Sequence, residues 1–371
     1  MKHLTKQEIF QISAEKTLRD VGILKDLEEN AMLIGEMNNI ASNIAEYDFV
    51  IEAMRNIESL TSAKIEGTTG NLQDLYLQES LGSERKKQLK LFSAINYQTT
   101  LKNIEQFIKG KTRITHHVLR QIHKVLTEND PSTSGVPGRY RLDDVRVMNS
   151  KLGDFWPSSG IKVRDHMEEF IDQLEKNKRF PDLIRIAITH YQFEAIHPFS
   201  DGNGRTGRLL ITLQLLLDVG LKAPVLNISQ YFERNRDEYI SALRSVSDSG
   251  SFDIWIKFFL EAVKAQAKHG IELMNQMRDL KQKEELLINE NIQSPSVHHV
   301  HKFALSNLFI TISDTEKHLR QKRVKGKAKR QVARNNILRL VKLGILQQSN
   351  FQLGKTNVYE HVRLMNILML K

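Results

Sequence analysis

Cysteine is absent from all 371 residues. Disulfides, thiolate zinc sites and cysteine nucleophiles are thereby excluded. Proline is scarce, at seven residues, and strand-like alternation is confined to short pieces. Helical periodicity dominates instead, and the expected class is mainly α. No stretch of eighteen apolar residues occurs and no apolar signal opens the chain, so the expectation is a soluble, cytoplasmic protein that does not engage a membrane. One further absence is local. From Lys317 to Arg339 there are ten basic residues (Lys317, Arg320, Lys322, Arg323, Lys325, Lys327, Lys329, Arg330, Arg334, Arg339) and no acidic one, a surplus equal to the whole formal net charge of +10. A chain of this length can hold two or three domains, each with a real core.

What is present is concentrated in twelve residues, His197-Pro198-Phe199-Ser200-Asp201-Gly202-Asn203-Gly204-Arg205-Thr206-Gly207-Arg208. The run lies between the apolar segments Ile184–Ile196 and Leu209–Leu217, so it must be a loop leading into a helix. Loop amides and the positive helix end would then face an anion. The Gly-Lys-Ser/Thr ending of a Walker loop is missing, so a different phosphate chemistry is needed. His197 is the residue of the run able to act as a neutral base near physiological pH. Asp201 offers the single carboxylate that Mg²⁺ often takes from protein. Gly202 and Gly204 permit backbone conformations and close approach that a Cβ forbids. Arg205 and Arg208, three apart, can clamp phosphate oxygens. Phe199 reads as an apolar pin for the loop, and Asn203 as an amide donor to the phosphate cradle.

At every defining position the run resembles the HxFx(D/E)GNGRxxR signature of the Fic (filamentation induced by cAMP) family. The resemblance implies transfer of AMP from ATP to a Ser, Thr or Tyr hydroxyl of a protein, with release of pyrophosphate. It implies His197 as general base and Asp201 as the Mg²⁺ ligand. Gly202, Asn203 and Gly204 would be the anion-hole backbone, and Arg205 and Arg208 would hold the β- and γ-phosphates.

Far upstream, Ser62-Ala63-Lys64-Ile65-Glu66-Gly67 places Ser62 and Glu66 one helical turn apart on one face, with Gly67 expected to end the helix. Read alone, this is also an exposed Glu before a terminal glycine. Beside the signature it resembles the family's inhibitory motif, (S/T)xxxE(G/N). Glu66 would then pair with Arg208 and remove the γ-phosphate clamp. The same carboxylate can instead orient a water for removal of AMP, and the sequence does not choose between these roles.

Gly138 to Arg141, and Val145-Arg146-Val147-Met148 to Phe155-Trp156-Pro157, read as short extended pieces around the polar turn Asn149 to Asp154. By position this resembles the family's flap, a hairpin that registers a target by strand addition, although a plain surface hairpin reads the same way. Tyr239, in the segment after Pro224, is a candidate to stack on adenine or equally a core residue. His190 and His123 read as interior packing residues. His298, His299 and His301 have no carboxylate or cysteine neighbour in sequence and read as a loop.

The expected organisation is an N-terminal helical region over 1–110 with the inhibitory motif, a Fic core over 111–265 with a hairpin flap, a linker helix over 266–293 and a winged-helix-like domain over 294–371. In that last part, Ile312 to Glu316 reads as a helix start, Val332 to Lys342 as an amphipathic helix broken by Gly344, and Ile345-Leu346 with Asn357-Val358-Tyr359 as a small wing. The basic run would neutralise nucleic-acid phosphates, or be a solvated face, or meet an acidic protein. Expected partners are therefore ATP, a protein target that includes the chain itself, and nucleic acid at the C-terminal end. A homodimer is compatible with the motifs. Two functions follow: an autoinhibited enzyme that adenylylates protein hydroxyls, and a DNA-binding regulator whose core senses nucleotide.

Overall fold

Helix is what the apolar spacing and the scarcity of proline dictate, and helices account for most of the chain. The computed structural model describes residues 2–12, 14–42, 48–80, 91–109, 113–149, 151–322, 329–353 and 356–369. No helix among them is long and apolar enough to cross a membrane. The chain divides into two compact units. One comprises Met1–Ser42, Ile57–Thr69 and Leu91–His269, and the other Asn43–Asn56, Gly70–Lys90 and Gly270–Lys371.

In the first unit the central element is the helix Asp182–Ile196, which is apolar on nearly all sides and buried accordingly. Only Asp182 and Glu194 of its residues escape full burial. The helix Asn203–Leu217 packs beside it, and the helices Val163–Lys176 and His116–Thr127 pack against this pair. Thr115 caps the last of these by accepting from the Val118 N–H. Burying leucines, isoleucines and phenylalanines such as Ile184, Phe193, Leu209 and Leu213 contributes roughly 1.5–3 kcal/mol each. An aromatic cluster of Phe232, Tyr239, Trp255 and Phe258 surrounds His190, and Trp255 donates its indole N–H to the Ala187 carbonyl at 2.8 Å. The expected linker helix is not a separate element, since one helix runs without interruption from Asp253 to Asn291.

In the second unit, the helix Ser296–Asn307 is followed by strand β1 (Phe309–Thr311), the helices Ile312–Gln321 and Lys329–Lys342, strands β2 (Gln347–Leu353) and β3 (Thr356–Glu360), and the helix Val362–Met369. The sheet is antiparallel in the order β1-β3-β2, with Ile310 opposite Tyr359 and Gln348 also opposite Tyr359. Its core gathers Val297, Val300, Ile310, Leu319, Ile337, Leu340 and Ile345. Ile345 and Leu346 precede β2 and are buried, so they anchor the hairpin rather than form it.

The histidine cluster departs from expectation. His298, His299 and His301 lie on a helix, not in a loop, and His301 does have a carboxylate partner. The buried Glu284 Oε2 faces the Nε2 atoms of His301 and His361 at 2.8 and 2.9 Å. The Leu364 N–H donates to His361 Nδ1 at 3.3 Å, so the ring N–H aimed at the carboxylate is that of Nε2. Glu284 is held below the usual carboxylate range: burial opposes its charge, and hydrogen bonds from His301 and His361 outweigh the burial.

Candidate active site

The helix Asp182–Ile196 ends at His197, whose φ of 53° and ψ of 62° are left-handed. A side chain rarely adopts this conformation unless its surroundings impose it. Here Arg141 imposes it. Buried among main-chain carbonyls, its guanidinium donates to the oxygens of His197, Asp143, Ser158 and Ile196, while its own N–H donates to the Pro198 carbonyl. The chain then turns through Phe199, which is fully buried and stacked on His123 with ring centres 3.7 Å apart. His123 accepts from the Gly138 N–H at Nδ1, so its Nε2–H donates to the Asp201 carbonyl at 2.9 Å. Burial pushes its pKa down to about 4 and keeps the ring neutral. One imidazole thus ties the helix His116–Thr127 and the Gly138 segment to the loop.

Asn203 opens the next helix, and Gly202 before it has a φ of 74°. The Asn203 side chain differs from the expected phosphate donor. It accepts from the Phe199 N–H and donates to the Phe199 carbonyl, both at 2.8 Å, and so pins the loop. Asp201 stays partly open, with one oxygen accepting from Gly202 N–H and the other from Ser134 N–H.

The two arginines have different surroundings. Arg205 is buried against Asp130 at 3.3 Å and accepts no exposure to the cavity described below, while Ser93 also contacts it at 2.9 Å. Arg208 does line that cavity. Its Nε donates to Ser62 Oγ, and its Nη2 to the Ser62 carbonyl and Glu66 Oε1, at 2.8–2.9 Å. The helix Asp48–Ile65 delivers Ser62, and the turn that follows it, with Gly67 at a φ of 92°, places Glu66 against Arg208. Burial works against the Glu66 carboxylate, but Arg208 outweighs it and holds the pKa below the ordinary value. Gly204 makes the pairing possible, because a Cβ there would lie 2.3 Å from Glu66 Oε1.

A turn further back on the same face, Glu58 is buried and accepts from the Ser229 N–H, the Ser229 hydroxyl and the Tyr97 hydroxyl. Burial pushes it up to about 7, despite these bonds and the charge of Arg208.

Around Arg208 opens a cavity of about 470 Å³ lined by Glu66, Glu194, His197, Gly204, Arg208 and Tyr239, with Val147, Met148 and Phe155 on another side. Tyr239 is buried, bonded through its hydroxyl to His190 at 2.8 Å and stacked on Phe232. Val147 and Phe155 exchange two main-chain hydrogen bonds of 2.9 Å, which makes a single antiparallel bridge where two strands were expected. Arg146 crosses this bridge to Asp154 at 3.1 Å, Met148 is largely exposed, and Val145 is half-buried. Arg244 donates to the carbonyls of Leu152 and Gly153, and Lys151 pairs with Asp237.

Burial pushes His197 down to about 4, with Arg141 adding to the fall and Glu66 opposing it. The ring is therefore neutral at pH 7 and able to receive a proton. The sequence reading had singled out His197, Ser62, Glu66, Gly204, Arg208 and Tyr239, which do come together. It missed Arg141, Glu194, Glu58 and the Asp130–Ser93 pair behind Arg205. The available signal for Glu194 was an acidic residue in the last turn of a helix, three residues before His197.

This geometry is that of a helical core with a glycine-rich loop leading into a helix, and comparison with known proteins agrees with it. The model of the Fic/DOC family matches residues 113–215, and that of the Fic/DOC family N-terminal region matches residues 24–103. In these two stretches the chain is similar to the Fic/DOC family. It is 31% identical over 160 residues to a probable protein adenylyltransferase of Aquifex aeolicus, covering 43% of this chain and 47% of that one. It is 29% identical over 164 residues to protein adenylyltransferase fic-1 of Caenorhabditis elegans, covering 44% and 29% respectively. The matched part thus spans about half or less of these relatives. In fold, a Fic family protein from Desulfovibrio desulfuricans G20 is similar over 91% of this chain and 95% of its own, with a TM-score of 0.57 at 20% identity.

Proposed function

We propose that the chain is a protein adenylyltransferase that moves AMP from ATP to a Ser, Thr or Tyr hydroxyl of a protein, including its own chain, and releases pyrophosphate. The observation that carries this reading is the cavity in which His197, Gly204 and Arg208 meet, with Glu66 bound to Arg208. His197, neutral and held by Arg141, takes the proton of the attacking hydroxyl. The main chain of Gly202 to Gly204, at the positive end of a helix, holds the phosphates. Arg208 holds the γ-phosphate, and Arg205, fixed by Asp130, adds positive charge behind the loop. The partly open carboxylate of Asp201, next to these amides, fits Mg²⁺, which takes few protein ligands. When bound there, Mg²⁺ supplies charge neutralisation for the departing pyrophosphate. Tyr239, fixed by His190 and Phe232, forms one wall of the nucleotide cavity.

Glu66 acts as a brake by occupying Arg208, and the half-exposed carboxylate is also the group that would orient a water for AMP removal. The main chain beside the Val147–Phe155 bridge, with Val145, Arg146 and Met148, receives the target segment by strand addition. The test is transfer of α-labelled ATP onto protein with Mg²⁺, comparing wild type, Glu66→Gly and Glu66→Gly/His197→Ala. Label in Glu66→Gly that vanishes in the double variant supports both reaction and brake. No label in any of them, despite nucleotide binding, defeats the proposal.

A second reading is favoured by the C-terminal unit, whose order of helix, strand, two helices and hairpin suits a winged helix. Arg330, Arg334 and Arg339 are exposed on the helix Lys329–Lys342, opposite the buried Ala333, Ile337 and Leu340. Part of the basic run is neutralised by acids just before it, since Glu316 pairs with Arg320 and Arg330, and Asp314 with Lys317. Arg323, Lys325 and Lys327 lie outside the described residues. DNA binding that falls steeply with salt, together with no transfer by Glu66→Gly, would favour a nucleotide-sensing regulator.

A further inference from the structure

Glu194 has no role in the reaction as described, yet its setting is specific. It sits in the last turn of the helix Asp182–Ile196, and its Oε2 lies 3.7 Å from His197 Nδ1. Its Oε1 is buried with no hydrogen-bond partner among the described residues. That oxygen occupies the space above Gly207, where a Cβ would lie 2.3 Å away, so the glycine in Arg-Thr-Gly-Arg makes room for the carboxyl. The His197 main chain is fixed by its left-handed turn and by Arg141, which leaves rotation of the ring as its remaining freedom, and the ring meets both the main-chain carbonyl and the carboxyl of Glu194. Glu194 stands where it can stop that rotation.

We propose that Glu194 is a positioning residue for His197. Its carboxyl oxygen accepts from the Nδ1–H of the ring, selects that tautomer, and leaves Nε2 as the lone pair that receives the target's proton. The contact of 3.7 Å would shorten to hydrogen-bond distance when nucleotide and target fill the cavity, as catalytic contacts commonly do. Burial pushes Glu194 up to about 8 and His197 down to about 4, so at pH 7 the contact is between two neutral groups rather than an ion pair. In the transfer step the target O–H bond breaks and its proton passes to Nε2. The oxygen bonds to the α-phosphorus, and the bond from that phosphorus to the bridging oxygen breaks, with its electron pair leaving on pyrophosphate. Glu194 neither gains nor loses a proton. The role rests on the adenylyl-transfer reading, whereas the contact itself does not.

The tautomer is read directly by long-range ¹H–¹⁵N correlation of the full chain labelled in histidine nitrogens, with His197→Gln to assign the signal. Wild type and Glu194→Gln, which keeps an acceptor, should show Nδ1–H. Glu194→Ala should shift the ring toward Nε2–H, and Glu194→Leu, which fills the volume without an acceptor, gives the same reading should Ala not fold. In the Glu66→Gly background, Glu194→Ala should lower kcat by about 10–100-fold with KM for ATP within about twofold, as expected of misplacement, and Gln should restore most of it. An unchanged tautomer in both Glu194→Ala and Glu194→Leu overturns the proposal, as does a Gln variant as slow as Ala. A tautomer that responds in a chain that transfers nothing would retain the contact and discard adenylyl transfer.

Discussion

Replacing Glu66 should change which nucleotide the cavity prefers. Arg208 is buried, and its charge is met by one carboxylate, Glu66, and by Ser62. Removing one partner of a fully buried pair costs about 3–5 kcal/mol. The Glu66 side chain is 40% exposed, so solvent already screens part of the attraction, and about 2 kcal/mol is the expected loss in the nucleotide-free protein. A γ-phosphate that takes the place of the carboxylate should recover a similar amount. At about 1.4 kcal/mol per factor of ten, this makes ATP up to about 30-fold tighter than ADP in Glu66→Gly. In wild type the γ-phosphate finds Arg208 occupied, and the two nucleotides should bind within about threefold of each other, an estimate that follows from the same exchange of one anion for another. Isothermal titration with ATP and ADP in Mg²⁺ measures both ratios, and thermal unfolding without nucleotide measures the loss of stability. Glu66→Ala separates the carboxylate from the added backbone freedom of glycine. A wild type that already prefers ATP as strongly as Glu66→Gly would refute the reasoning, because Arg208 would then not be occupied in solution.

Other outcomes follow from buried groups. Glu58 has a folded pKa raised to about 7, so the folded state holds its proton more tightly than the unfolded state and stability should fall as pH rises from about 4.5 to 7, then level off. Glu58→Gln should flatten that interval in denaturant titrations run at several pH values, and an unchanged slope would rule Glu58 out as its source. Glu284→Ala leaves two buried imidazole N–H groups unpaired, at about 1–3 kcal/mol each. Faster hydrogen exchange in peptides covering 296–307 and 356–369 would register the loss, and unaltered exchange would contradict it. Gly207→Ala brings a methyl group against Glu194 Oε1 and should lower transfer while leaving ATP affinity nearly intact, as measured by the label assay beside calorimetry.

The parts of the site that were legible in the sequence are those set by local spacing. An offset of four from Ser62 to Glu66 is about one helical turn, and a glycine just beyond is a common helix end, so their shared face was readable without the fold. The loop from His197 to Gly202 was likewise readable, since apolar helices flank it. What was hidden depends on partners distant in the chain. Arg205 meets Asp130 and Ser93, His123 stacks on Phe199, and Glu284 joins His301 and His361, all brought together by packing. Periodicity reports which face of a helix is apolar and nothing of what that face meets. The Asn203 side chain was misread for the opposite reason: its partner, Phe199, is only four residues away, but the bonds form inside the loop instead of toward its mouth.

The left-handed backbone at His197 has a practical consequence for probing the base. Glycine takes that conformation with no steric cost, whereas most other replacements resist it. His197→Gly therefore empties the ring's volume while leaving the turn into the loop undistorted. Free imidazole diffusing into the vacated space can then stand in for the missing side chain, and substituted imidazoles of graded basicity would report how far the proton has moved when the phosphorus is attacked.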